Sequence, residues 1–178
     1  MGDVAGDDAL PEDPATFERL HAHLTASSVA FSLTEHEAVR TSEEAAAVRG
    51  VTLASGAKAM LLKVKKKPAD PDRPYYLTTM SAAKRLSWKL VRKAIGSKDV
   101  RLATEDEVWE VTRCRPGAVP PFGCALFASH VAATVMDPSL VAQGSTINFN
   151  CGLKTKSMSM AVADYVAVEK PRVESFCE

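Results

Sequence analysis

A chain of 178 residues, 46% hydrophobic and 25% charged, has the size and balance of one domain that can bury a core without disulfide or metal staples. No run approaches 18 apolar residues, and the acidic start of the chain offers neither a basic n-region nor an apolar core, so neither a membrane span nor a secretory signal is expected. The formal charge of zero conceals segregation. Residues 1–18 hold six acids and no base, whereas the 13 bases between Lys58 and Arg101 face only Asp70, Asp72 and Asp99. Such a basic middle is where an anionic partner would bind, although a solvated face has the same composition. Cys114, Cys124, Cys151 and Cys177 form no CxxC pair, which reads as reduced thiols in a cytosol-like compartment.

Residues 1–12 are small and acidic and are expected to form a disordered tail, leaving 13–178 as the folded domain. Asp13 and Pro14 open a helix whose apolar face is Phe17, Leu20 and Leu24. Val29 to Leu33 reads as a strand, followed by an extended piece at Ala38 and Val39. Thr41-Ser42-Glu43-Glu44 is a capping box for a short helix that Gly50 stops. Ala57–Val64 and Tyr75–Thr79 are strands joined by a basic, proline-rich loop, and Ser81 is placed to cap a helix running to Ile95. Val100–Ala103 is a strand, and Thr104-Glu105-Asp106-Glu107 is a second capping box. Strand-like runs follow at Ala125–Ala128, Val131–Val135 and Thr146–Asn150, and Ser157–Val168 mixes a strand with a short helix. The expected fold is α/β: one domain with a mixed, mainly antiparallel twisted sheet surrounded by helices.

Common active-site signatures are missing. Gly50 to Gly56 has the wrong spacing for a P-loop, and neither GxSxG nor HExxH occurs. Cys114, Cys124, Cys151 and His130 lack the close ligand pairs of a zinc site, so no metal and no cofactor are expected. Three segments remain. Lys58 heads an apolar strand and shares a face with Met60 and Leu62, so its ammonium must reach a rim or a cleft; a snorkelling structural lysine fits the same pattern. Arg115 to Gly123 is a proline-rich loop with glycines near both ends, able to present backbone N–H groups to a carbonyl oxygen, or simply to connect elements tightly. Asn148 and Asn150 share a strand face ahead of Gly152 and Ser157, which suits a pocket wall.

In order and spacing these segments resemble the YbaK/prolyl-tRNA synthetase-associated domain, the fold of free-standing aminoacyl-tRNA deacylases and of the editing insertion of bacterial prolyl-tRNA synthetases. The resemblance spans roughly Phe17 to Pro171. Lys58 matches the family's lysine, which helps hold the tRNA acceptor end. Gly117, Pro121 and Gly123 match its Gly-x-x-x-Pro-x-Gly loop, and Asn150, Gly152 and Ser157 match its polar-glycine motif with a polar position seven residues on. Glu35-His36-Glu37 resembles the entry to the pocket. Some members carry Asn where Ala59 stands, so a strictly alanine-specific type does not follow.

The resemblance implies a metal-independent trans-editing deacylase in the cytoplasm. It would hydrolyse the ester of a mischarged tRNA-Pro, or of a related tRNA carrying a small amino acid. An activated ester needs a positioned water and oxyanion donors rather than a strong nucleophile. Lys58, Gly117 and Asn150 are the candidate catalytic residues, and His36, Pro121, Gly123, Asn148, Gly152 and Ser157 the candidate substrate contacts. Lys65, Lys66, Lys67, Lys84, Arg85, Lys89, Arg92 and Lys93 are the candidate tRNA contacts. The implied partners are tRNA and an aminoacyl-tRNA synthetase, with neither membrane nor DNA. Two competing readings are a non-catalytic tRNA-binding or synthetase-associated module and a hydrolase with Cys151 as nucleophile.

Overall fold

Both capping boxes form. Thr41 opens α2 (Ser42–Arg49) and Thr104 opens α4 (Glu105–Thr112), each hydroxyl accepting from the N–H of Glu44 or Glu107 while that glutamate reaches back to the cap N–H. Gly50 ends α2 in the left-handed region at φ 66°. The computed structural model describes residues 10–178. Most of the expected acidic tail (residues 1–9) lies outside them. Of the remainder, the Pro11 carbonyl accepts from the Arg115 guanidinium and the Glu12 carboxylate from Lys154 N–H. The first helix, α1 (Ala15–Ala26), starts one residue after Pro14 and buries Leu20 and Leu24 completely.

Two sheets carry the fold. The smaller is antiparallel, in the order β1 (Phe31–Glu35), β7 (Lys156–Ala161), β6 (Thr146–Asn150). The larger runs β4 (Val100–Leu102), β2 (Ala57–Val64), β3 (Tyr75–Ser81), β5 (Val131–Met136), β8 (Arg172–Val173). Its pairings are antiparallel except β3 with β5 and β5 with β8, which are parallel. Alternation along β2 and β3 sends Ala57, Leu61 and Leu77 into the main core, shared with α1 and the smaller sheet. Leu62, Val64 and Met80 go to a second core under α3 (Trp88–Ile95). An isolated bridge between Gly56 and Asn148 ties the sheets at the head of β2.

Two local expectations are corrected. Ser81 does not cap a helix: it ends β3 opposite Ala57, its hydroxyl donates to the Ala54 carbonyl, and α3 begins only after Ser87. Ala125–Ala128 is not a strand, because α5 (Gly123–Leu126) is a helical turn whose N–H groups at Cys124 and Ala125 meet the Glu169 carboxylate. The segment around Ala38 and Val39, expected only to be extended, lies outside both sheets. Two short helices complete the chain, α6 (Ser139–Ala142) and α7 (Val162–Glu169). Among the described residues no helix is long and apolar enough to cross a membrane.

Part of the basic middle is internally neutralised. Lys63 and Arg101 are cross-strand partners, and both bind Glu107 at 2.7 Å. The Arg101 guanidinium, aided by Lys63 and the Thr104 N–H, holds the Glu107 carboxyl well below the usual carboxylate range. A depressed folded pKa gives stability that is present above the ordinary value of 4.5 and lost as pH falls toward the folded one. Glu107→Gln is therefore expected to cost about 1–2 kcal/mol at pH 7. The gap to wild type should narrow below about pH 4.5. Urea unfolding of both proteins at pH 7 and pH 3 measures it, and an equal gap at both pH values would contradict the ion-pair assignment.

Candidate active site

Because β4 is only three residues long, it pairs with Leu62–Val64 and leaves Ala57–Met60 of β2 without a neighbour on that edge. A cleft of about 510 Å³ opens there, walled by α2, the 3-10 turn Leu53–Ser55, the start of α4, the Pro116–Gly117 turn, Asn148 and Asn150. Its volume lies within the usual range of roughly 300–1,000 Å³ for small-ligand sites. Lys58, Gly117, Asn148 and Asn150 are thus brought together as linings of one cavity. Lys58 is exposed, with no hydrogen-bond or ion-pair partner among the described residues, so its charge is available to a ligand.

Backbone chemistry fixes the opposite wall. Pro116 and Gly117 are the central residues of a type II turn closed by Ala118 N–H to the Arg115 carbonyl, with Gly117 at φ 85°, a conformation that side chains disfavour. The Gly117 N–H makes no hydrogen bond among the described residues, while its carbonyl accepts from Asn150 Nδ2 at 2.6 Å. Since a carbonyl only accepts, Asn150 must turn its Oδ1 the other way, where Arg49 Nη2 donates at 2.6 Å. Arg49 Nε donates to Ser157 Oγ at 2.8 Å, and Ser157 Oγ lies 2.6 Å from His36 Nε2. His36 Nδ1 faces the Glu37 carbonyl at 2.7 Å and so carries a proton, leaving Nε2 to accept from Ser157 in the neutral ring. The polar chain His36–Ser157–Arg49–Asn150–Gly117 is oriented from end to end.

A second chain orients Asn148. The Ser55 hydroxyl donates to the Thr52 carbonyl, so its oxygen accepts from Asn148 Nδ2 at 3.0 Å. Asn148 Oδ1 is then left as an acceptor with no protein partner among the described residues.

His36 and Ser157 thus belong to the wall behind the cleft, joined to it through Arg49. Pro121, Gly123 and Gly152 do not line the cavity. The Pro121 carbonyl accepts from the Tyr165 hydroxyl at 2.8 Å. A Cβ on Gly123 would sit 2.6 Å from Thr134 Oγ1, and one on Gly152, at φ 104°, would sit 2.9 Å from Phe17 N. The Cys151 thiol is buried, and burial pushes its pKa up to about 12, far from a thiolate nucleophile. Among the basic residues, Lys84 and Arg85 are exposed just beyond Ala82, which lines the cleft. Lys89, Arg92 and Lys93 are exposed along one face of α3, and Lys65, Lys66 and Lys67 lie in the loop after β2. That loop begins seven strand residues from Lys58, roughly 23 Å along β2, and its Lys65 N–H donates to Asp99, just beyond α3.

Arg49 is the site residue that sequence reading overlooked. It stands in the last turn of a short Ala-rich helix, where a base is ordinarily a solvated complement to the helix dipole. The one clue was the spacing from Asn150 to Ser157, which the structure reveals as a cross-strand pair in the β6–β7 ladder.

The chain belongs to the aminoacyl-tRNA editing domain family, whose model matches residues 36–168 and so takes in most of the two-sheet fold and the cleft at the head of β2. Over 167 residues it is 33% identical to the multifunctional Ser/Thr-tRNA deacylase ProXp-y of Escherichia coli strain K12, covering 94% of this chain and 96% of that protein. The fold is shared with a solved hypothetical protein (TM-score 0.77, 24% identity, 90% of this chain and 99% of the other). It is also shared with a solved candidate trans-editing enzyme for prolyl tRNA synthetase (TM-score 0.76, 22% identity, 94% and 99%). The fold class and family expected from the sequence are those found.

Proposed function

We propose that the chain is a trans-editing aminoacyl-tRNA deacylase whose active site is the cleft beside Lys58, and that it removes a small amino acid from a mischarged tRNA. The reaction class follows from family membership. The observation that carries the site is the convergence on one cavity of a cation (Lys58), a backbone donor (Gly117 N–H) and an amide acceptor (Asn148 Oδ1), none of which has a hydrogen-bond partner among the described residues. Lys58 at the mouth meets the phosphate or ribose of the acceptor end. Gly117 N–H points to the ester carbonyl oxygen, where charge develops as water attacks. Asn148 Oδ1 accepts from the α-ammonium or a side-chain hydroxyl of the amino acid. Pro121, Gly123 and Gly152 shape the loops behind these groups.

The relative's name puts Ser and Thr first among the amino acids to test, on tRNA-Pro and related tRNAs. A substrate of this kind places the work in the cytoplasm, with an aminoacyl-tRNA synthetase as a further partner. The deciding experiment is deacylation of tRNAs mischarged with Ser, Thr, Ala and Cys. Hydrolysis of at least one is expected. A chain that binds these tRNAs yet hydrolyses none would be a non-catalytic module.

The bases along α3, with Lys84 and Arg85 at one end and Lys65–Lys67 at the other, form the tRNA track. Replacing Lys65, Lys66 and Lys67 together with Ser should weaken binding and flatten its salt dependence. The log–log slope should fall by up to about 0.9 for each phosphate that is no longer neutralised. The preferred amino acid should not change, because the loop is far from the cleft. Binding of uncharged tRNA across a salt series, beside the mischarged panel, checks both points. An unchanged slope would confine the track to α3.

A further inference from the structure

Arg49 is a guanidinium in the wall of the cleft, and among the described residues no carboxylate pairs with it. Desolvation is the main influence on its ionisation and lowers its pKa, as burial of an unneutralised cation must. Among the described residues its two hydrogen-bond acceptors are neutral: Asn150 Oδ1 at 2.6 Å and Ser157 Oγ at 2.8 Å. Those two acceptors are direct partners across the β6–β7 ladder, so a rigid pair of strands grips Nε and Nη2 and fixes the plane of the fork. Both Nη1 protons and one on Nη2 are left without a protein partner among the described residues. A half-buried cation held by neutral anchors keeps its full charge for a ligand, whereas a carboxylate partner would have quenched it. For the acceptor-end phosphates there are already exposed cations, Lys58 in the cleft lining and Lys84 and Arg85 in the chain just beyond Ala82. Arg49 stands farther in, joined through Asn150 to the Gly117 turn.

We infer that Arg49 is a catalytic residue of this deacylase, its free N–H groups stabilising the oxyanion that forms on the scissile ester carbonyl beside the Gly117 N–H. This rests on the deacylase reading above. In the step it serves, a water oxygen bonds to the carbonyl carbon and the C=O π pair moves onto the carbonyl oxygen. That oxyanion is the charge Arg49 faces. When it collapses, C=O re-forms, the bond to the ribose oxygen breaks, and the ribose oxygen takes up a proton originating from the attacking water. The products are the free amino acid and a tRNA with both terminal hydroxyls. The resting structure thus holds a charge arranged for the transition state rather than for the neutral ester, which is how differential binding raises the rate.

The test compares wild type, Arg49→Ala, Arg49→Lys, Asn150→Ala and the Arg49→Ala/Asn150→Ala double variant. Each is measured for single-turnover deacylation of Ser- and Thr-charged tRNA-Pro, affinity for uncharged tRNA, and melting temperature. Arg49→Ala should slow the chemical step by about 10²–10³-fold, the usual effect of losing one oxyanion donor. Affinity for uncharged tRNA should stay within about threefold of wild type, which corresponds to well under 1 kcal/mol. Arg49→Lys keeps the charge without the fork and should remain at least about tenfold slow; it also serves as the readout should the alanine variant fold poorly. Arg49→Ala should still slow the reaction in the Asn150→Ala background, because a group that touches the oxyanion acts without its anchor. No further loss in that background would make Arg49 a positioning residue for Asn150 and overturn the inference. A loss of tRNA affinity equal to the loss of rate would reassign it to phosphate binding. A wild-type chain inert on every mischarged tRNA overturns the deacylase reading, and this inference with it; an active wild type whose Arg49 variants match it overturns this inference alone.

Discussion

Lys58→Ala is expected to lower kcat/KM for deacylation by about 10²-fold or more, the effect of removing one well-placed electrostatic interaction from a reacting complex. The lysine is exposed at the cleft and its side chain has no hydrogen-bond or ion-pair partner among the described residues, so its loss breaks no polar contact of the fold. The melting curve should therefore move by no more than the equivalent of about 1 kcal/mol. The alternative open at the sequence level, an ammonium that only covers the strand, predicts the reverse: a stability cost with little kinetic effect. Deacylation kinetics and a thermal melt on the same preparation separate the two, and wild-type kinetics in the variant would remove Lys58 from the site.

Gly123→Ala is expected to act almost wholly on stability. The new Cβ would lie 2.6 Å from Thr134 Oγ1 and 2.8 Å from Leu77 Cβ, both closer than side-chain carbons tolerate. Leu77 is fully buried in the main core and has no free volume to move into. Thr134 cannot yield cheaply either. Its hydroxyl donates to the buried Glu169 carboxylate and accepts from Cys124 N–H at 3.1 Å. Displacing it would strand a carboxylate that also receives Cys124 N–H at 2.7 Å and Ala125 N–H at 3.2 Å. Overpacking with part of that network broken should cost about 2–4 kcal/mol. At this chain length that lowers the melting temperature by roughly 5–15 °C. Activity per folded molecule should stay near wild type, because Gly123 does not line the cleft. A variant that melts like wild type but fails to deacylate would return Gly123 to the substrate site.

What the sequence made legible was whatever local chemistry decides. The two capping boxes need residues only three apart, and they form as read. The strands Ala57–Val64 and Thr146–Asn150 have the predicted ends because apolar alternation and flanking glycines act within the segment. Placing Asn148 and Asn150 opposite Ile147 and Phe149 required nothing beyond that two-residue period. The failures all depend on distant partners. Ala125 and Ala128 look like strand residues until a glutamate some 45 positions later supplies the acceptors that let α5 turn. Ser81 looks like a cap until its strand register against Ala57 is known. The parallel pairing of β3 with β5 contradicts no local signal and is announced by none. Arg49 is the instructive case at the site: its helix was read correctly, but its two acceptors sit on strands about a hundred residues away.

The smaller sheet bears on how the protein is made. Its β1 is an edge strand with Leu33 40% exposed, and its partner, β7, supplies Met160 opposite Phe31. A ribosome adding about 5–20 residues per second takes on the order of ten seconds to reach that partner after β1 is synthesised. Until then the N-terminal strand has its ladder groups unpaired and its apolar side chains uncovered, the state most open to pairing with another nascent chain. Since Ser157, which anchors Arg49, lies on the same late strand opposite Thr34, the polar wall of the cleft and the cover for β1 are completed in a single event. Chains stalled before that point would carry the exposed bases of α3 without a finished cleft, and would be candidates for chaperone capture rather than for slow turnover.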